Sequence, residues 1–429
     1  GGKHYQRNIP SPYRWRDWVH SDMRAEDLVD FVDNKLFPFL AKLSGDEEKE
    51  LISTIFSGKE IQNFLKDGFK LKEVALLLDE LELKTSEDIY VLSTLYEELL
   101  PEIGEMGKYA GEYYTPRPLI RLMVRIVNPK LGETILDPFM GSGGFLIESY
   151  NHILRSKDIF TTKEKEILRR MFLGQEKKDV PYLIGIMNLI LHDLPTNRIY
   201  KVDTFAEDLR KIQERDRVDV ILTNPPFGGK FDVRYKSNFP IKSSNTELMA
   251  LQYVMRKIKQ GGRVGIVVPE GVLSNTTGPF VRVRKELLKH YNVHTIISLP
   301  KGVFIASGKT SVKTNLLFFD KTGPTEEIWY YEIQPPKGMK NFTKTRPMRD
   351  EDWQDCYEKW QNREISENSW IVKIDEIDEE TYELTPRNPN KLKKKEYRPA
   401  GEILEDVLKE EGEVMRLFEE LKGMLGWKR

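Results

Sequence analysis

The chain has 429 residues, with 67 basic and 68 acidic side chains and a net charge of −1, and 39% of its residues are hydrophobic. That composition suits two or three soluble domains with ample core, and no stretch reaches the roughly 18 uninterrupted apolar residues a membrane span needs. One cysteine, Cys356, excludes an internal disulfide, and Gly1-Gly2-Lys3-His4 lacks the apolar core of a secretory signal, so the expected compartment is the cytoplasm.

Residues 1–105 read as a helical domain. Leu28, Phe31, Val32 and Leu36 share one helix face that Pro38 is expected to end. Thr85-Ser86-Glu87-Asp88 has the form of a capping box ahead of Ile89, Leu92, Tyr96 and Leu99. The Trp15-Arg16-Asp17-Trp18 cluster suits either internal packing or a partner surface.

The pattern changes at Gly111-Glu112-Tyr113-Tyr114-Thr115-Pro116-Arg117-Pro118, and residues 106–325 read as a catalytic domain. Leu119, Leu122, Met123, Ile126 and Val127 mark a helix, with Pro118 in its first turn and Thr115 as a cap. Its N-terminus is either a plain capped end or a seat for a carboxylate. Next, Thr134-Ile135-Leu136-Asp137 forms a short strand, and Pro138-Phe139-Met140-Gly141-Ser142-Gly143-Gly144 a glycine-rich turn into a helix. The acid precedes the glycines, so this is not the dinucleotide fingerprint, and no Gly-Lys-Ser/Thr follows to make a P-loop. An acid at a strand end beside closely approachable backbone suits a cationic amino-acid cofactor, for which S-adenosylmethionine (SAM) is the candidate.

Two more strands end in acids. Glu176 tips the strand over 172–176, where it could accept ribose hydroxyls, and Asp203 tips the strand over 199–203, suited to an adenine amine. His192 reads as a helix-end residue. The strand over 218–223 runs into Asn224-Pro225-Pro226-Phe227, and two prolines cannot continue a strand, so the backbone leaves the sheet there. That motif is either an ordinary strand stop or a grip on a flat ring bearing an amine. In the second reading, the Asn224 side-chain oxygen and the Pro225 carbonyl bond the two amine hydrogens. Phe227 stacks on the ring. Gly261-Gly262 is expected to cap a helix ahead of strands over 263–269, 293–299 and 314–319. The count is seven strands in a doubly wound α/β sheet. Residues 326–398 read as a charged irregular linker, and 399–429 as a helix. Leu404, Val407, Glu411, Val414, Phe418, Leu421 and Leu425 repeat at steps of three and four, a seam that either folds back or takes a partner helix. No metal site is expected: the six histidines are scattered and one cysteine cannot build a thiolate cluster.

These pieces together resemble the methylation (modification) subunit of type I restriction-modification systems, a family of DNA adenine-N6 methyltransferases. The resemblance rests on residues 111–118, 137–146, Gly174-Gln175-Glu176, Met187-Asn188-Leu189-Ile190-Leu191-His192, Asn224-Pro225-Pro226-Phe227 and Pro269-Glu270-Gly271-Val272-Leu273, in the family's order. It implies a fold of the SAM-dependent methyltransferase type. It also implies SAM contacts from Glu112, Tyr113, Tyr114, Thr115, Pro116 and Arg117, from Ser142, Gly143 and Gly144, and from Glu176. The implied substrate is a base flipped out of double-stranded DNA. Two such subunits would assemble with one specificity subunit, with a restriction nuclease subunit as a further partner. Phe139-Met140 departs from the small residues and cysteine more usual in the family. The near-zero net charge, and the lack of an inserted target-recognition domain between the strands, agree with sequence reading in trans. The alternatives are a self-sufficient DNA methyltransferase, a methyltransferase acting on protein glutamine or RNA, and a cofactor-sensing scaffold without turnover.

Overall fold

Strand residues here send successive side chains to opposite faces, and both faces are covered. Ile135, Val220, Leu222, Val267, Ile297, Leu316 and Phe318 enter one core. Their neighbours Leu136, Ile221, Ile266, Val268, Ile296, Leu317 and Phe319 enter the other. The computed structural model describes residues 9–81, 91–96, 98–100, 114–228, 232–304, 313–392 and 400–424.

The sheet has nine strands: β1 Ile135–Asp137, β2 Phe172–Glu176, β3 Ile199–Lys201, β4 Val218–Thr223, β5 Ile258–Pro269, β6 Asn292–Ser298, β7 Thr314–Asp320, β8 Glu327–Glu332 and β9 Ser369–Lys373. Their order is β3-β2-β1-β4-β5-β7-β6-β8-β9. Strands β3, β2, β1, β4 and β5 run parallel. β7 lies antiparallel between β5 and β6. The helices Arg117–Val127, Gly144–Leu154, Asp179–Leu191 and Glu351–Asn362 pack on one face. Thr246–Lys257 and Gly278–His290 pack on the other. The winding reverses beside β1, which has β2 on one side and β4 on the other, and this is where open parallel sheets leave a crevice at their carboxyl ends.

Four expectations change. The seven strands become nine, because residues 326–398 are not an irregular linker: they supply β8, the helix Glu351–Asn362 and β9. The sequence hid them because the apolar residues are few but large. Trp329, Tyr330, Tyr331, Trp353 and Trp370 are all buried, and β9 pairs antiparallel with β8. Gly261 and Gly262 do not cap a helix. The helix ends at Lys257 and β5 runs through both glycines, with a register shift opposite Val218 and Val220. A Cβ on Gly262 would meet the Asp219 carbonyl at 2.8 Å, so glycine is needed for close strand approach. Pro38 does not stop its helix, because a π-turn over Val32–Leu36 precedes Phe37–Leu40 and leaves Pro38 in a first turn. Finally, the helices at the start are not set apart. Residues 1–386 form one compact unit and residues 387–429 a second.

The early helices bury a core of their own around Trp18, Leu28, Phe31 and Leu36. Trp18 is buried in that core, whereas Trp15 stays 40% exposed and donates to Asp79 across 2.8 Å. The Glu60 N–H donates to Asp179 (3.1 Å) and the Tyr96 hydroxyl to the Ile184 carbonyl (3.1 Å), both on the helix behind the glycine turn. The proposed capping box at Thr85 lies outside the described residues. In the second unit, Ala400–Met424 is one continuous helix on which Leu404, Val414, Phe418 and Leu421 are exposed. Among the described residues, no helix is long and apolar enough to cross a membrane.

Candidate active site

The carboxyl ends of β1, β2 and β4 meet in a cavity of about 330 Å³. Thr115, Asp137, Gly141, Ser142, Gly144, Glu176, Asp203, Asn224 and Pro226 all line it, although the sequence spreads them over 112 positions. The volume falls at the lower end of the range for small-molecule sites.

β1 ends at Asp137, which is 1% exposed. Its Oδ1 accepts from the Thr223 hydroxyl (2.7 Å) and the Phe139 N–H (3.2 Å), while Oδ2 is buried and no protein donor reaches it. Burial pushes this carboxyl up to about 7. A buried acid with one unsatisfied oxygen is a receptor for a cation or a donor.

The turn after Asp137 is shaped by what its neighbours lack. Gly141 and Gly143 have φ of 53° and 77°, where a side chain would strain the backbone. Met140 lies below the turn in a slot left by two other glycines. A Cβ on Gly174 of β2 would meet Met140 Sδ at 2.6 Å, and one on Gly185 would meet Met140 Cε at 2.5 Å and the Gly141 oxygen at 2.6 Å. The departure at Met140 is therefore accommodated by Gly174 and Gly185. Glu176 then ties β2 to the turn: Oε2 accepts from the Gly141 N–H (3.1 Å) and Oε1 from the Lys178 N–H (2.9 Å). Its burial raises the carboxyl's pKa, opposed by those two donors.

Arg117 stands behind the turn, its Nη1 donating to the Gly144 carbonyl (2.9 Å). Pro116, buried, is the N-cap of the helix Arg117–Val127, and Tyr114 is half-buried. Thr115 is not the cap that its sequence position suggested. Its hydroxyl oxygen accepts from Asn224 Nδ2 (3.0 Å). Asp203 is also more engaged than expected: Oδ1 caps the short turn at Thr204–Ala206 through the Phe205 N–H (3.1 Å), and Oδ2 pairs with Lys177 (2.8 Å). Glu112 and Tyr113 lie outside the described residues.

At the end of β4, Pro225 is buried and Pro226 faces the cavity. Gly228, with φ of 65°, donates its N–H to Glu247 Oε1 (2.6 Å), which fixes where the loop turns back. Phe227 is half-buried, edge-on to Phe304 with ring centroids 6.4 Å apart. Asn224 Oδ1 is buried and receives no protein donor.

This architecture matches proteins already characterised. A family profile described as N-6 DNA Methylase matches residues 87–397. The chain belongs to the N-6 DNA methylase family. It is 34% identical over 438 residues to the type I restriction enzyme EcoEI methylase subunit of Escherichia coli, covering 98% of this chain and 87% of that one. A chain from a structure of complex assembly and conformational transition in the type I R-M system is 39% identical. It superposes with a TM-score of 0.82, covering 98% of this chain and 88% of that one. A modification subunit assigned to a type I restriction enzyme of Vibrio vulnificus YJ016 is also 39% identical, with a TM-score of 0.78 over 90% of this chain and 86% of that one.

Several residues of this N-6 DNA methylase site escaped sequence reasoning. Asn188 is fully buried and its Nδ2 donates to the Ser142 carbonyl (2.8 Å), holding the glycine turn from the helix behind it. Gln175 accepts from Tyr253 (3.1 Å) and lies 3.2 Å from the Thr204 hydroxyl, which donates to the Pro138 carbonyl. Phe139 and Phe205, with centroids 5.4 Å apart, give the cavity an aromatic wall. Thr223 and Glu247 anchor the two ends of the Asn-Pro-Pro loop. Asn188, Gln175 and Phe139 lay inside motifs without a role read for them, and Thr223 was marked only by preceding Asn224.

Proposed function

We propose that this chain is the adenine-N6 DNA methyltransferase subunit of a type I restriction-modification system, with SAM as methyl donor and residues 224–227 as its amine grip. The family match and the type I relatives carry the reaction and the system. The observation that carries the chemistry is the buried, donor-free Asn224 Oδ1 on the same cavity as the buried, donor-free Asp137 Oδ2.

The residues fit SAM. The glycine turn leaves backbone open to close approach. Asp137 offers an unsatisfied acid for an ammonium group. Glu176, on the neighbouring strand, offers lone pairs for ribose hydroxyls, while Phe139 and Phe205 suit a flat ring. Asp203 keeps only the lone pairs that Lys177 and Phe205 leave free. When bound, SAM supplies an activated methyl group on a sulfonium.

The chain's task is then to make a poor nucleophile attack. The exocyclic nitrogen of adenine is planar, its lone pair shared with the ring. Two acceptors, Asn224 Oδ1 and the Pro225 carbonyl, draw its hydrogens into positions that favour a tetrahedral nitrogen. Phe227 supports the ring face, and the base must leave the duplex to reach the loop. Two positioned acceptors suffice to hold the amine, and the acquired positive charge is relieved by losing a proton to water once the methyl is in place.

Sequence choice belongs to a partner in this reading. The exposed apolar seam of Ala400–Met424 is the proposed docking element for a specificity subunit, with two methylation subunits to one specificity subunit and a nuclease subunit as a further component. The proposed compartment is the cytoplasm. The test is labelled methyl transfer from SAM to DNA by this chain, alone and with the specificity subunit of its own system. Transfer only in the presence of both subunits supports the reading; tight, site-specific transfer by the lone chain would overturn the partner requirement.

A further inference from the structure

We infer that Thr115 is a positioning residue for Asn224: its hydroxyl, bonded to the amide nitrogen, holds the carboxamide in place with its oxygen free for the target amine. This inference rests on the reading above, in which Asn224 receives the amine.

A carboxamide is nearly symmetric in shape, so packing alone distinguishes its two ends poorly. The distinction must come from hydrogen bonding. Here the Thr115 oxygen accepts from Asn224 Nδ2 at 3.0 Å. That contact spends the amide's donor end on the protein. The opposite end, Oδ1, is left buried with no protein donor, which is a costly state unless a ligand supplies one. Turning the amide over would aim its N–H groups at an incoming amine and oppose donor to donor. The backbone on either side is held as well. Thr223, one residue earlier, is pinned to Asp137 at 2.7 Å, and Gly228 is pinned to Glu247 at 2.6 Å. Between those two ties, the Thr115 contact holds the carboxamide itself.

Thr115 also stands directly before Pro116, the N-cap of the helix Arg117–Val127, whose Arg117 grips the Gly144 carbonyl at 2.9 Å. The element that backs the glycine turn therefore also orients the amine acceptor. This gives a direct mechanical link between the cofactor half and the base half of the cavity.

The test compares Thr115→Val, which keeps the shape and removes the hydroxyl, with Thr115→Ser, which keeps the hydroxyl. Both are assayed in the chain assembled with its specificity subunit on double-stranded DNA. Thr115→Val should lower single-turnover methyl transfer about 10-fold, the scale of one lost orienting hydrogen bond, while SAM affinity stays within about twofold. Thr115→Ser should recover most of the rate. A second readout needs no turnover: in protein labelled with 15N-asparagine, the Asn224 side-chain amide should exchange with solvent faster in Thr115→Val.

Wild-type rates in Thr115→Val would overturn the inference. So would a loss of SAM affinity as large as the loss of rate, which would make Thr115 a cofactor contact. Unchanged amide exchange would also overturn it. If the wild-type complex transfers no methyl group at all, the proposed function fails, and the amide exchange still judges the Thr115 contact.

Discussion

Gly185 touches no proposed substrate, yet it lies against the turn proposed to hold the cofactor. It lies inside the helix Asp179–Leu191, under the glycine turn. In Gly185→Ala the new Cβ would sit 2.6 Å from the Gly141 oxygen, about 0.8 Å inside the 3.4 Å at which ordinary contact begins. The neighbouring Met140 Cε is the end of a flexible side chain and can yield, but the Gly141 oxygen is backbone. Moving Gly141 away by that amount breaks its N–H bond to Glu176, now 3.1 Å long. A hydrogen bond to a charged acceptor is worth about 1.5–3 kcal/mol, so SAM affinity should fall about 10- to 100-fold. Stability should fall as well, because overpacking costs about 1–3 kcal/mol on top of the lost bond and alanine's helix preference over glycine offsets only about 1 kcal/mol. Calorimetric titration of SAM into the purified chain measures the first quantity and thermal unfolding the second. Unchanged SAM affinity with a lowered melting temperature would show that the helix, not the turn, absorbs the methyl group, and would refute the reasoning.

Three further outcomes follow from the same geometry. Asn188→Leu removes the buried donor to the Ser142 carbonyl and should weaken SAM binding by about 10-fold in the same titration, with secondary structure intact by circular dichroism. Glu247→Ala frees the Gly228 end of the Asn-Pro-Pro loop. It should lower the methyl-transfer rate about 10-fold or more with a smaller effect on SAM affinity, because Glu247 holds the Gly228 end of the loop and otherwise bonds the neighbouring Thr246 hydroxyl. For pH, burial raises Asp137 from its ordinary 3.8 to about 7, so the ligand-free folded protein holds a proton there that the unfolded chain has released. The stability tied to that proton is present below about pH 4 and lost as pH rises to about 7. A bound cation favours the ionised acid, so SAM affinity should rise between about pH 6 and about pH 8, and Asp137→Asn should flatten that rise.

The site was more legible in the sequence than the sheet's far edge was. Asp137, Glu176 and Asn224 each close a strand, and parallel strands deliver their carboxyl ends to one rim, so three separate motifs predicted one cavity. Helical spacing from Leu119 to Val127 likewise announced a real helix. β8 and β9 went unread because their residues, among them Trp329, Tyr330 and Trp370, sit in a charged stretch that has proline on both sides and no clear period. What the sequence could not carry was partnership between side chains far apart in the chain. Thr115 looked like a helix cap, since a threonine before a proline-led helix usually is one, but its hydroxyl goes to Asn224, 109 positions away. Asn188 lay inside a matched motif, yet only the packed helix shows that its amide holds the glycine turn.

The central claim is that Asn224 presents its oxygen to an adenine amine. The most direct measurement is nucleoside mass spectrometry of double-stranded DNA treated with SAM and the assembled subunits, using wild type and Asn224→Ala. The account predicts N6-methyladenine from the wild type, none above background from Asn224→Ala, and SAM affinity within about twofold between the two. Methylated cytosine in place of methylated adenine, or N6-methyladenine undiminished in Asn224→Ala, would contradict it.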